Sequence, residues 1–106
     1  MTRSFWKRKI RHWLEPDPTL HPMGEDVYSP QKKLKIAFWF EGGLKVTGDN
    51  SDLSVNFNDP DLLILSLLVR KTIRIYRVPY SRLVCFELIR GGAKDEDVFT
   101  NRFSVN

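Results

Sequence analysis

Asp59-Pro60-Asp61-Leu62-Leu63-Ile64-Leu65-Ser66-Leu67-Leu68-Val69-Arg70-Lys71 is the stretch on which the fold turns. Seven of the eight residues from Leu62 to Val69 are aliphatic, and the run is broken by Ser66. The flanks point to a helix. Asp59 is a good N-cap, Pro60 suits a first turn, and Asp61 complements the positive end of the helix dipole. Arg70 and Lys71 complement the negative end. The reading is therefore a helix from about Asp61 to Arg70 or Lys71, apolar almost all round.

On both sides the pattern alternates. Upstream, Leu34, Ile36, Phe38 and Phe40 alternate with Lys33, Lys35, Ala37 and Trp39. Glu41-Gly42-Gly43 follows, then Leu44 and Val46 alternate with Lys45 and Thr47. A two-residue Gly42-Gly43 loop would set Lys45 opposite Phe40. A three-residue loop with Gly43 in the left-handed region pairs Phe40 with Leu44 and Phe38 with Val46, which keeps the charge off the apolar face. The chain then turns over Asp49 to Asp52 into a third strand with Leu53, Val55 and Phe57 inward. Downstream, Ile73 and Ile75 are the expected inward residues of a fourth strand. After Val78-Pro79-Tyr80-Ser81, Val84, Phe86 and Leu88 are those of a fifth. The order β-β-β-α-β-β predicts an α+β, two-layer body over residues 33–90: an antiparallel sheet of about five strands with one helix on its apolar face. A small, partly closed β-barrel is the alternative.

Residues 1–14 differ from this body. Arg3, Lys7, Arg8, Lys9 and Arg11 bring five positive charges and no acid, so the overall net charge of +4 resides at the front. Trp6, Ile10, Trp13 and Leu14 fall within about 100° on a helical wheel, with basic residues opposite. Thr2 or Ser4 suits the N-cap. This basic amphipathic helix reads as an arm outside the core pattern, dispensable for folding. Residues 15–32 hold Pro16, Pro18, Pro22 and Pro30 and read as an extended linker. Residues 91–106, opening on Gly91-Gly92, read as a loose tail.

No catalytic, cofactor or metal pattern stands out. His12 and His21 both precede the body, and neither has ligand spacing to Cys85 or to a carboxylate. A single cysteine excludes an intramolecular disulfide and suits a reducing, cytoplasmic interior. The apolar runs fall well short of the ~20 residues that a spanning helix needs.

The expectation is a non-enzymatic binding or assembly protein without cofactors. It docks to a larger protein through Phe5, Trp6, Lys7, Arg8, Ile10, Arg11 and Trp13. One alternative is a nucleic-acid accessory protein that adds the outer sheet residues Lys35, Trp39, Lys45, Arg74 and Tyr76 as an aromatic, basic surface. The other lays the arm on an anionic membrane surface.

Overall fold

The computed structural model describes residues 2–17 and 26–90, and residues 99–104 as backbone. The elements are α1 (Arg3–Arg11), β1 (Leu14–Pro16), β2 (Val27–Pro30), β3 (Leu34–Phe40), β4 (Lys45–Asp49), β5 (Leu53–Asn56), β6 (Leu62–Val69), β7 (Thr72–Pro79), a 3-10 turn (Tyr80–Arg82), β8 (Leu83–Arg90) and β9 (Phe99–Ser104). Every strand pairing among the described residues is antiparallel. One sheet runs β1-β2-β5-β6-β7 and the other β4-β3-β8-β9. The described residues form an α+β domain of one helix and two open sheets, not closed into a barrel.

Within the stretch 59–71, Leu62–Val69 is a strand, which corrects the helix expected there and the single-sheet order built on it. Asp59 caps nothing helical. Its Oδ1 accepts from the N–H groups of Asp61 (2.8 Å) and Leu62 (2.9 Å), closing a local turn. From there Leu63 and Leu65 face inward, while Leu62, Ile64, Ser66 and Leu68 point out. Pairing with β5 (Val55 opposite Leu65, Ser54 opposite Ser66) turns a featureless aliphatic run into a period of two. Arg70 and Lys71 end no helix. They form a two-residue hairpin turn with φ of 50° and 67°, the left-handed pair that the twist of a tight hairpin requires.

The β3–β4 hairpin matches the expected register: Phe38 faces Val46, and the Phe40 N–H donates to Leu44 O at 2.9 Å. Gly42 and Gly43 take φ of 90° and 91°. Leu53, Val55 and Phe57 are buried as expected. In β8, Phe86 and Leu88 face inward, but Val84 is partly exposed. A register shift between Trp39 and Phe40 places Leu83 opposite Phe40 and takes the inward position from Val84.

The faces of β7 are the reverse of those expected. Ile73 and Ile75 are 62% and 50% exposed. Arg74 and Tyr76 sit opposite Leu67 and Leu65 and share their inward side. The cause is the turn: with Val69 paired to Thr72, every later pair is fixed, and a one-residue change of register exchanges the faces.

The inner faces of the two sheets and α1 share one core. At Gly48 of β4 the two sheets approach closely. A Cβ there would lie 2.6 Å from Leu53 Cβ and 3.0 Å from Leu67 Cδ1. Trp6 (1% exposed), Ile10 (0%) and Leu14 belong to this core, so α1 is part of the body. The expectation that residues 1–14 stand outside the core pattern gives way to a helix packed into that core. The segment expected as linker contributes β1 and β2, which extend the first sheet beyond β5. Residues 18–25 lie outside the described residues. The segment expected as a loose tail contributes β9, paired along β8. Residues 91–98 and 105–106 lie outside the described residues.

Candidate functional site: the cationic face of the N-terminal helix

The sequence dictates two sides of α1. Trp6 and Ile10, one helical turn apart, enter the core, and the Trp6 ring meets Phe86 edge-on at 6.3 Å between centroids and Phe5 at 5.1 Å. Thr2 caps the start, its hydroxyl 3.5 Å from the Phe5 N–H. The opposite side carries Arg3, Ser4, Lys7, Arg8, Arg11 and His12 along one shallow groove.

Part of this charge is engaged within the chain. The Arg3 guanidinium donates to Phe57 O (2.5 Å) and to Asp26 Oδ2 (3.1 Å). Lys7 forms a second ion pair with the same Asp26 oxygen. Burial pushes the Asp26 carboxyl up, but hydrogen bonds from Lys7 and Tyr28 and the charges of Lys7 and Arg3 outweigh it and hold the group below its ordinary value. Burial raises the Tyr28 phenol, and its bond to the Asp26 carboxylate adds to that. Arg11 lies over the Tyr28 ring at 5.4 Å and Lys9 over Phe5 at 5.8 Å. Arg8, Lys9 and Arg11 are exposed and, among the described residues, form no ion pair.

The expected docking residues therefore divide. Trp6 and Ile10 are consumed by the chain's own core. Phe5 and Trp13 are half-buried against it. Lys7 is half-committed to Asp26, and Arg8 and Arg11 remain on the outside. Asp26, the residue that organises the groove, was hidden in the presumed linker. Only the acid itself, lying just before an alternating Val27-Tyr28-Ser29, hinted at it.

The expected nucleic-acid surface is not one surface. Lys35, Trp39 and Lys45 share the outer face of the β4-β3-β8-β9 sheet, where Lys45 Nζ stands 4.5 Å above the Trp39 ring. Trp39 Nε1 donates to Glu87 Oε1 at 3.5 Å, so an acid sits in the middle of that face. Arg74 and Tyr76 belong to the other sheet, on its inward side, with Tyr76 packed against the core.

No helix among the described residues is long and apolar enough to cross a membrane. Comparison with protein-family models, with curated proteins and with solved structures yields no match to this chain.

Proposed function

We propose that this chain is a non-enzymatic binding or assembly module that holds a larger protein, by an acidic surface, on the outer face of α1. The observation that carries the reading is the fixing of the helix. With Trp6, Ile10 and Leu14 in the core, Arg8 and Arg11 project from a rigid element whose nine residues include no acid. Positive charge held in place without an intrahelical partner is suited to steering and registering an anionic surface.

The same burial weakens the membrane alternative, because Trp6 and Ile10 are not available to enter the headgroup region. The nucleic-acid alternative loses the combined surface, since Glu87 contacts Trp39 and Arg74 lies on the other sheet.

The test places a photo-crosslinking amino acid at Ser4, on the rim of the groove, in the intact chain in cells. A discrete protein adduct that disappears in Arg8→Glu/Arg11→Glu supports the reading. Adducts to nucleic acid or lipid, or a protein adduct indifferent to the charge reversal, overturn it. Both substitutions are exposed and outside the core, so a folded variant is expected.

A further inference from the structure

β7 is an edge strand, long and open along its outer side, with arginines on both faces. It is eight residues long and lies last in its sheet, with no strand among the described residues on its far side. Its outer face shows Ile73 and Ile75 beside Leu68 of β6, which is 44% exposed, so three large aliphatic side chains stand together at the margin. In a two-residue hairpin the closing pair, Val69 and Thr72, is the hydrogen-bonded one, and bonded and non-bonded pairs then alternate. Thr72, Arg74, Tyr76 and Val78 therefore turn their N–H and C=O groups toward β6. Ile73, Ile75 and Arg77 turn theirs off the edge, where a further strand would pair with them.

The charge of the edge selects what can pair. Between Leu62 and Phe86 the chain has no acid and five cations: Arg70, Lys71, Arg74, Arg77 and Arg82. Arg74 and Arg77 are exposed on β7 itself, one on each face, and Arg70 and Lys71 crown its hairpin. A second copy of this edge would bring its own cations to the junction, and pairing centred on Arg74 would set two guanidinium groups directly opposite one another. Like charges opposite across strands destabilise a ladder, and opposite charges support it.

We propose that the β7 edge is a strand-addition site for an extended acidic segment of a partner protein. Antiparallel pairing prescribes the sequence. Reading along the added strand, the residues opposite Arg77, Tyr76, Ile75, Arg74 and Ile73 follow the pattern acid, any, apolar, acid, apolar. The acids meet the two arginines, the apolar residues lie beside Ile75 and Ile73, and the backbone pairs with Ile73, Ile75 and Arg77. This surface is separate from the cationic face of α1 and stands independently of it.

The test uses the full chain, a capped peptide containing Glu-Thr-Val-Glu-Val, the same peptide with lysine in place of glutamate, and the acidic peptide N-methylated at alternate residues. Expected with the acidic peptide are binding that weakens with salt and amide exchange slowed at Ile73, Ile75 and Arg77. Neither the lysine peptide nor the N-methylated one should bind. Arg74→Glu/Arg77→Glu should lose about tenfold or more in affinity for the acidic peptide and gain the lysine peptide. Ile75→Pro, which removes an edge donor rather than a ladder bond, should abolish addition while the chain still unfolds cooperatively. Arg8→Glu/Arg11→Glu should bind the peptide unchanged. The proposal is overturned by absence of binding at low salt, by indifference to N-methylation or to reversal of Arg74 and Arg77, or by sedimentation showing that the edge pairs with a second copy instead.

Discussion

Trp6→Ala tests whether α1 belongs to the fold. The indole is 1% exposed, enclosed by the core cluster and in edge contact with Phe5 and Phe86. Burying about 200 Å² of aromatic surface at about 25 cal/mol/Å² is worth about 5 kcal/mol. Alanine keeps only the Cβ, and the site collapses incompletely, so a cost of about 3–5 kcal/mol follows. One feature works the other way: the Trp6 indole N–H is buried without a hydrogen-bond partner among the described residues. That omission costs about 1–3 kcal/mol in the native chain and is relieved on truncation, which pulls the expectation toward the lower end of the range. Against a total of about 5–15 kcal/mol for a domain of ordinary stability, the loss is severe.

Urea unfolding followed by far-UV circular dichroism gives the difference, with Arg8→Ala as the exposed control, expected within about 0.5 kcal/mol of the parent. Trp6→Phe separates the two contributions, since it keeps a ring against Phe86 and deletes the unpartnered donor; it should cost clearly less than alanine. A loss below about 1 kcal/mol for Trp6→Ala would refute the packing of α1 and restore a detachable arm.

Gly48→Ala should destabilise by about 1–3 kcal/mol in thermal unfolding, because the added methyl would lie 2.6 Å from Leu53 Cβ, an atom too close to the backbone to move aside. The pH dependence follows from Asp26: its carboxyl is held below the ordinary value, so its contribution is present above the ordinary carboxylate range near pH ~4 and is lost as pH falls through the folded-state value. Asp26→Asn should therefore be less stable than the parent at neutral pH, with the two converging in acid denaturation series; a constant gap across pH would show that the ion pairs contribute nothing.

What could be read in the sequence depended on where a polar residue broke the apolar pattern. The β3–β4 register was legible because Lys45 made one of two loop lengths untenable. β5 was legible because Ser54 and Asn56 alternate with Leu53 and Val55. β6 was not, since an aliphatic run on a strand with a partner on each side carries the same letters as a buried helix, and Asp59-Pro60-Asp61 closes a turn with the residues that cap helices. The faces of β7 followed the error, because a helix ending at Arg70 leaves the hairpin pair Val69–Thr72, which fixes them, out of sight. The basic face of α1 was visible as composition. Asp26 and Tyr28, which engage Arg3, Lys7 and Arg11, were not, because the prolines around them read as a linker and the contacts are tertiary.

The internal bonds of α1 bear on how its outer face would bind. An isolated helix of nine residues is marginal in water, and a partner would have to supply its ordering on association. Here the core holds Trp6 and Ile10, and Asp26 positions Arg3 and Lys7 from the side, so the backbone under Arg8 and Arg11 is ordered before any partner arrives. The binding free energy from those two side chains is then set against their own rotamer entropy and not against folding of the helix. The same arrangement separates stability from recognition along a single element. On the proposed reading, substitutions at Trp6 and Ile10 would act on the fold, those at Arg3, Lys7 and Arg11 on both, since Arg11 also lies over the Tyr28 ring, and those at Arg8 on association alone.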